Sequence, residues 1–200
     1  MTPTSFLTDS EVDELGLGSH GCSVLISRFA SIHDPERVFL GDHVRIDDFA
    51  VLTTGDSGRI DIGSYVHIPV HSALFGRGGI KMEDYAGLSA RVTVFTTNDD
   101  YSGTHLTNPT VPARYTGVNI APVHLRKHVI VGAHSVILPG VVLGEGVAVG
   151  ALSLVDRSLE EWGIYAGIPV KLIKPRSRAL LSLEQKHRSA ADEEHDEACD

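Results

Sequence analysis

Residues 125–155, LRKHVIVGAHSVILPGVVLGEGVAVGALSLV, decide the fold. Aliphatic residues recur there every six positions, at Leu125, Val131, Ile137, Leu143, Val149 and Val155. Four positions after each of the first five stands a small or branched residue: Val129, Ser135, Val141, Val147 and Ser153. Glycine follows the aliphatic residue directly at Gly132, Gly144 and Gly150. A period of six matches neither the 3.6 of a helix nor the 2 of a plain strand. It fits a chain wound in a triangular coil, one hexad to a side.

Outward from that stretch the same frame appears in blocks of three. Leu40, Ile46 and Leu52 make one turn, Ile62, Ile68 and Leu74 a second, and Met82, Leu88 and Val94 a third. Their partners are Val44, Ala50, Val66, Ser72, Ala86 and Val92. A single turn cannot bury its own inner face, so turns must stack, as in any solenoid. Ordinary sandwich strands would instead alternate strictly and show turn signals every ~8–12 residues. The frame breaks on a large scale between Asn98 and Gly117, a polar excursion of the length that commonly carries function. Thr8 to Glu11 has the form of a capping box, predicting a short helix over 9–15 that stops at Gly16. Beyond Pro175 the run RSRALLSLEQKHRS is helix-prone and is expected to close the end of the coil. The expected organisation is a lead-in over 1–37, a coil over 38–175 with its excursion at 98–117, and a helix with an acidic tail over 176–200.

Composition agrees with such a scaffold and excludes several functions. The 200 residues are 42% hydrophobic but only 6% aromatic, with 20 glycines, as expected of an interior filled by many small aliphatic side chains. The net charge of −9 argues against general nucleic-acid or membrane-surface binding, either of which needs a basic face. Cys22 and Cys199 form neither a metal spacing nor a disulfide framework. Met1 to Gly18 shows no basic start and no apolar stretch, so no secretion signal is expected and the cytoplasm is the expected compartment.

The segment Tyr165-Ala-Gly-Ile-Pro-Val-Lys-Leu-Ile-Lys174, taken with the hexads and the excursion, resembles the hexapeptide-repeat acyltransferases. It matches that family's closing Gly-x-Pro-Ala-Lys-x-Ile-(Lys/Arg) pattern, with Val170 in place of the alanine. The resemblance covers about residues 38–175 and is nearest to the galactoside and maltose acetyltransferases and the sugar acyltransferases of surface polysaccharides. It implies an all-β, left-handed parallel β-helix with short terminal helices. It also implies a homotrimer with active sites between subunits, acetyl-CoA as co-substrate and a sugar or nucleotide-linked aminosugar as acceptor. Two alternatives stand beside it: a γ-class carbonic anhydrase, which shares the hexads, and a β-helix scaffold without activity.

The resemblance places the family's catalytic histidine at Asp99, within Asn98-Asp99-Asp100-Tyr101, and no histidine follows until His105. A hydroxyl nucleophile needs a base, whereas an amine attacks once it is neutral. Asp99, Asp100 and His67 are the candidates for proton handling, since adjacent carboxylates can raise one another's pKa. His71, Arg77, Tyr85 and Tyr101 are the candidates for acceptor binding. His71, Arg91 and His134 share one column, nine positions into their turns, and the arginine in its middle argues against a metal there. By the family pattern Ala133 and Ala151 border the pantetheine arm, Arg157 lies along the same edge, and Lys171 and Lys174 meet the CoA phosphates.

Overall fold

A computed structural model describes residues 5–197 of the chain, with side chains described through residue 190. The hexads form the three sides of a left-handed parallel β-helix. The first sheet has five strands, Val38–Leu40, Ile60–Ile62, Ile80–Met82, Val123–Leu125 and Val142–Leu143. The second has eight and includes Arg45–Ile46, His67–Ile68, Gly87–Leu88, Ile130–Val131 and Ala148–Val149. The third has six and includes Val51–Thr53, Ala73–Phe75, Thr93–Phe95 and Val136–Ile137. Apart from the last strand of the second sheet, each strand pairs in parallel with its counterpart one turn away, so that Ile46 lies beside Ile68, Leu52 beside Leu74 and Leu125 beside Leu143. Two strands, Leu25–Ile26 and Ser31–His33, already belong to the coil ahead of residue 38.

The interior is the aliphatic column read from the hexads. Leu52, Ile68, Leu74, Val94, Leu125, Ile137, Leu143 and Val155 are wholly buried, and so are the small partners Ala50, Ser72, Val92, Val129 and Ser135. With one such slot per side, there is no inward room for a ring.

The corners solve a backbone problem. At the edge between the first and second sheets His43, Tyr65, Tyr85, His128 and Trp162 all sit in the left-handed region, with φ between +54° and +60°. At the edge between the second and third, Phe49, His71, Arg91, His134 and Leu152 do the same. Bulky residues avoid that region. Here they stack: His43 on Tyr65 at 4.7 Å, Tyr65 on Tyr85 at 4.9 Å and Tyr85 on His128 at 5.3 Å between ring centroids. The column expected from the sequence, His71 with Arg91 and His134, is the second of these edges.

Helix α1 (Asp9–Glu14) carries the capping box: Glu11 N donates to the Thr8 hydroxyl and Thr8 N to the Glu11 carboxylate. The chain turns left-handed at Gly16, where φ is +71°. The other end differs from expectation. Its last rung is covered by Lys171–Pro175, antiparallel to Gly163–Ala166, and not by the C-terminal helix. Arg176 then turns the chain back along the coil, its guanidinium donating to the carbonyls of His128 and Gly146. Helix α2 (Leu180–Glu197) therefore lies along the first edge. Glu184 accepts there from Lys127 Nζ at 2.5 Å and His128 Nε2 at 2.7 Å, and His187 stands edge-on to Tyr65. Burial pushes the Glu184 carboxyl up, but the bonds from Lys127 and His128 outweigh it and hold it below the usual carboxylate range. Cys199 and most side chains of the acidic tail lie outside the described residues.

Because every interior slot is filled by one side chain, Leu74→Ala leaves a void that neighbouring turns cannot close. It should lower the unfolding free energy by about 2–5 kcal/mol in chemical denaturation.

Candidate active site

The excursion leaves the third sheet at Thr97–Asn98 and returns at Asn119–Ile120, the two segments pairing antiparallel. Between it and the outer face of the third sheet lies a groove of about 990 Å³. Its polar part is formed by Asp56, Arg77, Asn98, Asp99 and Tyr101. Val111, Pro112, Val118, Val136 and Leu138 make it apolar further along. The groove thus offers carboxylates, amide and guanidinium groups at one part and an aliphatic lining at another.

Asp99 faces this groove, half-buried. Its neighbour Asp100 does something else. The Asp100 carboxylate accepts from Ser102 N at 2.8 Å, Thr104 Oγ1 at 2.8 Å and His105 Nδ1 at 3.0 Å. Hydrogen bonds from Ser102 above all, then from Thr104 and His105, hold it well below the usual carboxylate range. The expectation that the adjacent carboxylates raise one another is therefore corrected at Asp100. Donors within its own loop outweigh any repulsion, and the group is committed to shaping the excursion. His105 packs against Gly117 in the same loop.

Arg77 and Tyr101 join Asp99 in the groove, and Tyr101 is 87% exposed. The remaining candidates lie elsewhere. His67 is on the outer face of the second sheet, where Nε2 meets Asp47 Oδ2 at 2.7 Å. Asp47 also accepts from Arg45 Nε at 2.6 Å. Burial raises the Asp47 carboxyl, but the bonds from Arg45 and His67 outweigh it and leave it lowered. His67 is half-exposed, and its neighbour in register one turn on is Gly87, where an added Cβ would meet nothing within 4 Å. His71 stacks on Phe49 at the second edge, and Tyr85 stands in the first-edge ladder with its hydroxyl 3.3 Å from His187. Within one chain the His67 face and the Asp99 groove belong to different sides of the prism.

Ala133 and Ala151 occupy successive rungs of the second edge, where Leu152 N donates to the Ala133 carbonyl at 2.8 Å. The two corners touch so closely that a Cβ on Gly132 would lie 2.4 Å from Ala151 N. Lys171 and Lys174 are exposed on the last strand, and neither has an ion-pair partner among the described residues. Arg157 is tied down, donating Nη2 to the Val170 carbonyl at 2.5 Å. Phe95, Val136 and Leu138 belong to the groove but were not singled out in the sequence. Their one signal is the outward-facing alternation on the third sheet.

No family model matches the chain. It is 42% identical over 187 residues to the dTDP-4-amino-4,6-dideoxy-D-glucose acyltransferase of Escherichia coli, covering 94% of this chain and 97% of that protein. It is also similar to AntD, an N-acyltransferase from Bacillus cereus. The structure of AntD with dTDP and 3-hydroxybutyryl-CoA superposes with a TM-score of 0.90 at 46% identity, covering 95% of this chain and 100% of that one. AntD has further been solved with dTDP-4-amino-4,6-dideoxyglucose and coenzyme A, and in forms substituted at a serine and at an aspartate ten positions later. A hexapeptide-repeat-containing acetyltransferase of Vibrio cholerae shares the fold alone, at 16% identity and a TM-score of 0.56 over 86% of this chain and 82% of that one.

If Asp100 orders the excursion, Asp100→Ala should make residues 99–118 several times more sensitive to limited proteolysis at pH 7, with little change in global unfolding. Its folded pKa is depressed, so the wild-type contribution is complete above the ordinary aspartate value of about 3.9. It is lost only as pH falls through the lower folded value, so mild acid near pH 5 should leave the wild-type loop protected.

Proposed function

The chain belongs to the hexapeptide-repeat acyltransferases, and we propose that it transfers an acyl group from acyl-CoA to the amino group of a nucleotide-linked aminosugar. The observation that carries this reading is Asp99 at the position where the family resemblance calls for histidine, facing a groove beside Arg77 and Tyr101. The 42% identical relative is named for acylating a dTDP-linked aminosugar, and AntD is an N-acyltransferase solved with such a sugar. Family membership sets aside the carbonic anhydrase alternative.

The chemistry asks little of a base. The amine, once neutral, attacks the thioester carbonyl, and the nitrogen of the tetrahedral adduct becomes positively charged. Its proton is then acidic enough for a carboxylate to take it. Asp99 draws the ammonium form of the acceptor into the groove, that form releases one proton to solvent before the attack, and Asp99 then receives the second proton from the adduct. The C–S bond then breaks as the adduct collapses to the amide, and the proton passes from Asp99 to the departing thiolate. No acyl-enzyme is required, so the acyl group moves directly within a ternary complex. Ser89 and Asp99 are ten positions apart, the spacing of the serine and aspartate substituted in AntD, and Ser89 follows the second-sheet strand Gly87–Leu88 on the side that carries His67.

Lys171 and Lys174 suit the CoA phosphates, since they place local positive charge on a chain of net charge −9. Ala133 and Ala151 leave the second-edge backbone open to the pantetheine amides. The donor is acetyl-CoA or a longer acyl-CoA, and AntD was solved with a 3-hydroxybutyryl donor. The assembly in this proposal is a homotrimer. What supports it is that the His67 face and the Asp99 groove lie on different sides of one prism, so a site using both needs two copies.

The test follows CoA release with dTDP-4-amino-4,6-dideoxyglucose as acceptor. Asp99→Asn should lower kcat/KM at least tenfold, about 1.4 kcal/mol of transition-state stabilisation. A wild-type rate in that variant, or no turnover with any aminosugar nucleotide, would sink the reading.

A further inference from the structure

We propose that Arg77, which lines the groove, and Phe75, which stacks on the groove residue Phe95 one turn away, form the subsite for the nucleotide that carries the aminosugar. The Phe75 ring takes the pyrimidine base and the Arg77 guanidinium takes the diphosphate. This assignment rests on the nucleotide-linked acceptor proposed above.

The third sheet places His33, Thr53, Phe75 and Phe95 in one column on successive turns. The rings of Phe75 and Phe95 stack with centroids 5.2 Å apart and planes 8° from parallel. A stack of rings one rung apart leaves a ring face uncovered wherever the next rung has no ring. That rung is Thr53, and Phe75 is 36% exposed. A planar base can continue the stack below Phe75, over the short threonine side chain, because every base has a π-face to offer an aromatic ring.

Arg77 faces the same side. Its stem lies over Gly55, where an added Cβ would come 3.3 Å from Arg77 Cγ, so the side chain reaches toward the turn that carries Thr53. Arg28, Arg45 and Arg59 each bind a carboxylate at 2.6 Å or less. Arg77, by contrast, has no hydrogen-bond or ion-pair partner among the described residues, although Asp56 lines the same groove. An unpaired guanidinium is a ready bidentate donor for phosphate oxygens. The chain's net charge repels a nucleoside diphosphate, so binding here requires a local cation. The floor beneath is rigid: a Cβ on Gly58 would lie 2.0 Å from the Gly76 carbonyl oxygen, so the two corner loops are already in contact.

The experiment titrates dTDP and inorganic pyrophosphate separately into the wild-type protein and the variants Phe75→Leu, Phe75→Tyr and Arg77→Gln by calorimetry, with thermal unfolding as the check on folding. Phe75→Leu should weaken dTDP about tenfold or more while leaving pyrophosphate unchanged, and Phe75→Tyr should bind as wild type. Arg77→Gln should weaken both ligands about tenfold or more. In the CoA-release assay KM for the aminosugar nucleotide should rise in Phe75→Leu and Arg77→Gln, with KM for acyl-CoA within about twofold of wild type. Unchanged dTDP affinity in Phe75→Leu and Arg77→Gln, or an equal loss of acyl-CoA binding, overturns the subsite and leaves the reaction standing. A wild-type protein that binds dTDP with this dependence on Phe75 and Arg77, yet acylates no aminosugar nucleotide, keeps the subsite and removes the reaction.

Discussion

Each side of this coil has room for one aliphatic side chain and one small one, and everything else in the molecule depends on that limit. A single turn buries almost nothing alone, so each is held by the turns above and below it through parallel pairing at a strand spacing of about 4.8 Å. The limit also pushes rings outward. Tyr65, Tyr85, His128 and Trp162 stand at a corner in the left-handed region, a conformation that costs roughly 1–2 kcal/mol per residue. Ring stacking returns about 0.5–1.5 kcal/mol per pair. Stacking therefore offsets only part of the strain along the ladder, and α2 adds a third element by laying His187 and Glu184 against it.

Chemistry on such a scaffold has only the outside to use. The interior column is closed, and the faces are flat except where the chain leaves the frame. The excursion after Thr97 is the one long departure, and the 990 Å³ groove arises where it folds back over the third sheet. Asp100 makes that fold possible by gathering Ser102, Thr104 and His105 around one carboxylate. The neighbouring Asp99 is left to face the groove. Two adjacent residues of the same type thus take different tasks, and the division follows from which has donors within its own loop.

The coil was legible because its period is set by local geometry that repeats, and Leu52, Leu74 and Ile137 stand where the hexads put them. The corner column of His71, Arg91 and His134 was legible for the same reason. The path of α2 was not, because it depends on Arg176 meeting the carbonyls of His128 and Gly146 and on Glu184 meeting Lys127, all distant in sequence. Half of the candidate site was legible as well. Arg77, Asp99 and Tyr101 do share a groove, whereas His67 lies on another face and Tyr85 under a helix. A frame that places residues on a side of the prism says nothing of which side the excursion will cover, and that decides which side chains meet.

The aspartate in place of a histidine is best understood through the acceptor. A hydroxyl must lose its proton as it attacks, and a carboxylate is too weak a base to take it at neutral pH. An imidazole, with a pKa near 6.5, is suited to that task. An amine, once neutral, carries its own lone pair and gives up its next proton only after the bond has formed, when that proton is strongly acidic. A carboxylate then suffices, and it adds an attraction for the ammonium form that imidazole lacks. In the proposed reaction a carboxylate at position 99 therefore suits a nitrogen acceptor better than an oxygen one, without any new cofactor or fold.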